Sequence, residues 1–221
     1  MKAVVRGTAV AATLVLALTG CDDGAGPASG SGKATASAPA EKRQEPTKAV
    51  EVWVDATGLY YALPTEASVG DVFVGNEPVV AQEGQALGAC SEETGSPCTG
   101  VQAVGHKEME ARGGSDDTRV EFTLFTFASG KEAAVAMKGL AEKQRASGAE
   151  DGVPSTPLTV NSDADETAAL KGETNAHVIL RVGSVVGHVY ANFTEQADLE
   201  HVTKVQIARI RAVAAGKSPD L

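Results

Sequence analysis

The chain has 221 residues, with 29 acidic against 19 basic side chains and a formal net charge of −10 at pH 7. A surface of that sign repels phosphate backbones and anionic headgroups, which are bound through Lys and Arg that displace counterions, so no direct nucleic-acid binding is expected. Aromatic residues make up only 4% of the chain, which leaves Val, Ala and Leu to build most of the core.

Residues 1–20 have the form of an export signal. Lys2 and Arg6 precede an uncharged apolar run to Leu18, too short for a permanent span, which needs about 20 apolar residues. The run ends in Leu18-Thr19-Gly20-Cys21, which resembles a bacterial lipobox. That resemblance implies a diacylglyceryl group on Cys21 carrying palmitate-type chains, with Cys21 as the first mature residue. Residues 21–48 follow as a lipidated linker of Gly, Ala, Ser, Pro, Thr and charged residues, with no large apolar side chain before Val50. Such a segment cannot bury enough surface to offset its ordering entropy, so it is expected to be a disordered tether with an r.m.s. reach of roughly 30 Å.

Residues 49–221 remain for one domain, enough for a real core. Lys2 and Arg6 belong to the signal, and residues 22–48 carry four acids and four bases, so this domain holds a charge of −12. The domain opens on Val50-Glu51-Val52-Trp53-Val54, whose alternation is strand-like. Leu59 to Leu63 precedes Pro64 and reads as either helix or strand. Val69 to Gly88 contains five glycines and prolines at short intervals and is expected to be mostly loop. Cys90 and Cys98 enclose the polar run Ser91–Pro97, read as a loop. In an exported chain the pair is expected to form a disulfide, a staple worth about 2.6 kcal/mol by loop-closure entropy.

Val101 to Met109 reads as a strand, and Ala111 to Asp117 as a turn. Val120, Phe122 and Leu124 share one strand face, after which Phe125 and Phe127 shift the apolar phase. The shift predicts either a bulge near Leu124 or a strand buried on both faces. Ala133, Ala136, Met137, Leu140 and Gln144 then fall at helical spacing, with Ser129 as N-cap and Gly148 as stop. Residues 149–176 are polar, with one short strand at Leu158-Thr159-Val160.

The clearest local pattern is His177–Val182 and Val185–Phe193 around Gly183-Ser184, a two-residue loop suited to a type II′ hairpin. That loop pairs Val182 with Val185, Leu180 with Gly187 and Val178 with Val189 on one apolar face. The other face carries His177, Ile179, Arg181, Val186, His188 and Tyr190. A final helix runs from about Ala197 to Ala215 and stops at Gly216. The segments 119–147 and 185–215 share a strand–helix layout. The expected fold is α+β: one mainly antiparallel sheet with helices packed on one face, the other face partly wet.

The layout of GDVFVGNEPVVAQEGQALGACSEE (70–93), FTFASGKEAAVAMKGLAEKQRASG (125–148) and DADETAALKG with HVILRVGSVVGHVYANF (163–193) resembles a group of actinobacterial lipoproteins. Their domains are similar to the extracellular sensor domain of mycobacterial serine/threonine kinases. The resemblance implies an α+β sheet with helices, a disulfide and a cleft of unassigned ligand, and carries no catalytic residues across.

Catalytic signatures such as G-x-S-x-G, S-x-x-K, H-E-x-x-H, Walker A and G-x-G-x-x-G are absent from the sequence. Asn161-Ser162-Asp163-Ala164-Asp165 begins like a calcium loop, but Glu166 and Gly172 stand where Gly and a bidentate Glu are needed, so it reads as a solvated acidic loop. His177 and His188 are diagonal neighbours without a visible third metal ligand. No metal or cofactor is therefore expected. Arg181, His188 and Tyr190 are the candidate ligand-binding residues, because the opposite hairpin face is committed to packing. These features point to a non-enzymatic, sensor-like module on the extracytoplasmic face of a Gram-positive cell membrane, lipid-anchored there and binding a small ligand or an envelope protein. A cell-wall-acting enzyme with an unrecognised site, or a structural envelope protein, is the alternative.

Overall fold

A computed structural model describes residues 53–70, 72–113, 117–150, 154–192 and 194–220. The export signal, Cys21 and the tether lie outside the described residues, as do Val50 to Val52. Trp53 and Val54 are irregular and not the end of a strand.

Helix α1 (Ala56–Ala62) settles the ambiguity before Pro64. Asp55 caps it by accepting from the Gly58 N–H at 2.6 Å, and Pro64 disfavours helical geometry at Leu63. A short 3₁₀ turn, Ala67–Val69, leads to β1 (Phe73–Gly75) and β2 (Val79–Gln82). Helix α2 (Glu83–Thr94) follows and corrects the reading of this region as loop. Its buried positions are the small Ala86, Cys90 and Thr94, and Gly95, at φ 64°, ends it in the left-handed conformation. Cys90 therefore stands on a helix. The expected Cys90–Cys98 disulfide is present, with Cα atoms 6.0 Å apart.

Strands β3 (Val101–Ala111) and β4 (Arg119–Phe127) come next. Register through Leu124 is continuous, so the phase shift in β4 reflects burial on both faces and not a bulge. Helix α3 (Gly130–Glu150) is capped as expected, the Ser129 hydroxyl accepting from the Glu132 N–H at 3.3 Å and donating to its carboxylate at 2.9 Å. It runs two residues beyond Gly148. The polar stretch behind it holds β5 (Thr156–Pro157) and an unforeseen strand, β6 (Glu166–Lys171). Strands β7 (Asn175–Val182) and β8 (Val185–Asn192) form the hairpin in the expected register, and Gly183, at φ 59°, takes the left-handed turn position. Helix α4 (Gln196–Ala214) closes the chain before Gly216.

The sheet is antiparallel in every pairing among the described residues, in the order β1-β3-β4-β8-β7-β6-β5 with β2 also on β3. The helical layer expected on one face is α1 and α4, packed on Val120, Phe122, Leu124, Val178, Leu180, Val185 and Val189. On the other face α2 and α3 cover Val104, Phe125, Phe127, Ile179 and Val186 but leave the polar rows beyond them open. The two strand–helix segments thus place their helices on opposite faces. Gln206 and Arg209 of α4 turn inward because they terminate α1: Gln206 Nε2 donates to Ala62 O at 2.9 Å. Arg209 donates to Leu63 O at 2.9 Å and Tyr61 O at 2.8 Å. Cationic donors suit a helix C-terminus, whose last carbonyls have no partner of their own. Among the described residues no helix is long and apolar enough to cross a membrane.

Candidate functional site

Strand register assembles the floor of the site. Across β3, β4, β8 and β7, the rows on the face of α2 and α3 read Val104–Phe125–Val186–Arg181, then His106–Thr123–His188–Ile179. The next two are Glu108–Glu121–Tyr190–His177 and Glu110–Arg119–Asn192–Asn175. Because side chains alternate with period two, residues facing away from the α1–α4 core are forced onto this surface. The helices cover the apolar row and stop at the histidine row. A cleft of about 340 Å³ begins there, lined by Glu93, His106, Arg119, Glu121, Thr123, Gln144, His177, His188 and Tyr190.

His188 is its buried centre, 5% exposed. Its Nδ1 lies 2.9 Å from Glu93 Oε1, and its Nε2 lies 3.0 Å from His177 Nδ1. The rings of His177 and His188 are nearly parallel, at 14°, with centroids 5.3 Å apart. Combined with the short N···N distance, that separation places them edge to edge in nearly one plane, the arrangement of an in-plane hydrogen bond. The His188 hydrogen bond, foremost, holds the Glu93 carboxyl below its usual range despite its burial. An ionised carboxylate only accepts, so His188 Nδ1 carries the proton. Burial first, and the neighbouring His188 second, lower the His177 pKa to about 4, so His177 is neutral at ordinary pH. The 3.0 Å contact between His177 Nδ1 and His188 Nε2 then carries a single shared proton, with the tautomer of each ring setting which nitrogen donates.

The rim is polar. The His177 ring packs on Tyr190 with centroids 5.1 Å apart. Arg119 Nε donates to Glu121 at 3.0 Å and sits 3.5 Å from Glu108. His106 Nδ1 and the Thr123 hydroxyl are 3.2 Å apart. Chemically, the arrangement offers a carboxylate–imidazole–imidazole hydrogen-bond chain, a phenol and an ion-paired guanidinium facing an open cleft. Among the described residues no group of three or more His, Cys, Asp or Glu side chains could hold a metal ion.

His188 and Tyr190 are brought together here, and Arg181 is not. Arg181 belongs to the helix-covered row, where it donates to Glu166 at 2.8 Å, Asp165 at 3.3 Å and Gly183 O at 2.8 Å. Asp165 also accepts from the Gly183 N–H at 2.7 Å, so the acidic loop read as solvated fastens the hairpin turn. Sequence reasoning missed Glu93, in the run read as a loop, and His106. The period-two run His106, Glu108, Glu110 in β3 is the signal that would have placed His106 beside the pair.

No protein-family model matches the chain, and no curated protein matches its sequence. Among solved structures the fold is similar to the extracellular domain of PknH from Mycobacterium tuberculosis. The TM-score is 0.52 at 12% identity, over 73% of this chain and 99% of that one. That likeness is one of fold.

Proposed function

We propose that this chain is a non-enzymatic, sensor-like module of the cell envelope, anchored through Cys21 on the extracytoplasmic face of the membrane. Its cleft takes a small polar ligand or an exposed group of an envelope partner. The observation that carries this reading is the Glu93–His188–His177 chain. It is locked by its own hydrogen bonds and opens on a cleft whose other polar groups, Tyr190, Gln144 and Arg119, suit recognition. The fold shared with an extracellular domain supports the extracytoplasmic setting. A cell-wall-acting enzyme draws only on the His106–Thr123 contact. It is the weaker reading, because among the described residues no carboxylate hydrogen-bonds His106 to orient it as a base.

Native mass spectrometry of the full lipoprotein purified from its own envelope tests the proposal. A ligand or partner should accompany the wild type and be lost from a Tyr190→Ala variant, and Cys21→Ala should abolish membrane retention. Wild-type protein that carries neither ligand nor partner, or Tyr190→Ala protein that keeps its passenger in full, refutes the binding reading. Unchanged retention of Cys21→Ala refutes the anchor.

A further inference from the structure

Lys107 stands on the other face of β3 from His106. In register it pairs with Phe122 of the main core, and it is only 6% exposed. A lysine so placed ordinarily finds a carboxylate, because an unpaired buried charge is costly. Among the described residues Lys107 has no hydrogen-bond or ion-pair partner. The charged groups around it are occupied or exposed. Arg209 serves α1 and Asp220, and Asp220 is held by Arg209 and by the Thr65 hydroxyl. Glu66 is paired with Arg112 at 3.5 Å, and Glu77 is exposed. Burial, followed by Arg209, lowers the Lys107 pKa against the pull of Glu66, Asp220 and Glu77.

The Lys107 ammonium is not among the fully enclosed polar atoms that lack a partner. It therefore keeps contact with a cavity of about 270 Å³, which Lys107 lines together with Tyr60, Tyr61, Leu63, Pro78 and Asp220. Tyr60 and Tyr61 meet edge-on with centroids 5.5 Å apart and are 39% and 53% exposed, so they form a rim above the buried cation. A largely apolar rim over a single unpaired cation suits an organic anion with a flat or apolar body. One free positive charge, with Asp220, Glu66 and Glu77 nearby, suits a monoanion better than a dianion.

We propose that this cavity binds a small organic carboxylate, its carboxylate on the Lys107 ammonium and its body against Tyr60, Tyr61 and Pro78. The site lies on the opposite face of the sheet from the histidine cleft and does not depend on that reading.

The probe is benzoate, followed by saturation-transfer NMR and equilibrium dialysis on the full lipoprotein in neutral detergent. A ligand of this size is expected to bind with a dissociation constant on the order of 1 mM. Lys107→Met keeps the stem without the charge and should weaken binding at least about tenfold. Tyr61→Ser, on the exposed rim and harmless to the core, should weaken it several-fold, which keeps the proposal testable should Lys107→Met not fold. The proposal is overturned by the absence of saturable benzoate binding to the wild type. Affinity unchanged in either variant, or displacement of benzoate by an equal concentration of inorganic phosphate, overturns it as well.

Discussion

Acidification should destabilise this domain through His177, and the size of the effect follows from its surroundings. The folded-state pKa is about 4 against an ordinary 6.5. For a base whose pKa is lowered on folding, the unfolded chain takes up the proton first. Stability is therefore complete above pH 6.5, falls as pH drops through the window from 6.5 to 4, and levels off below it. Integrating the linkage, His177 removes about 2 kcal/mol by pH 5 and about 3 kcal/mol by pH 4. Glu93, whose pKa is lowered chiefly by the His188 hydrogen bond, contributes stability that is present above 4.5 and lost only below it. The pH 7 to 5 interval therefore lies above the range in which Glu93 contributes. His177→Gln keeps a side chain able to hydrogen-bond His188 but does not titrate. Urea unfolding followed by far-UV circular dichroism, from pH 7 to 5, should show the wild type losing about 2 kcal/mol more than this variant. Parallel profiles, within about 0.5 kcal/mol of each other, would falsify the argument that His177 is held neutral by burial.

Two further outcomes follow from the packing. Replacing both Cys90 and Cys98 by Ala should cost about 2.6 kcal/mol in urea unfolding. The intact wild-type domain should gain two hydrogens in mass on reduction, and free thiols in exported material would contradict the bond. Arg209→Met should cost about 3 kcal/mol in the same assay, because the Tyr61 and Leu63 carbonyls each lose a charge-assisted partner. A loss below about 1 kcal/mol would mean that water replaces the guanidinium there.

What the sequence settled by itself is local. Gly183-Ser184 leaves one loop length, so the register from Val182–Val185 to His177–Tyr190 followed, and with it the neighbourhood of His177 and His188. The phase change in β4 left a bulge and double burial as alternatives, which strand pairing decided for double burial, and the end of α4 was legible in Gly216. Other features had no local signature. Helix α2 buries Ala86, Cys90 and Thr94, residues too small and too mixed with Gly84 and Gly88 to produce an apolar stripe. Strand β6 is half-buried, with a single fully buried residue, Leu170, and alternation that weak does not stand out from loop. These two elements decided the site. Packing of α2 brought Glu93 to His188 across 95 residues, and β6 supplied the carboxylate that, with Asp165, drew Arg181 away from the cleft. Lys107 shows the same limit, since alternation places it toward the core but cannot say whether a carboxylate waits there. Periodicity reports which face of an element is buried, whereas pairing between distant polar groups depends on how the layers meet, and only the tertiary structure determines that.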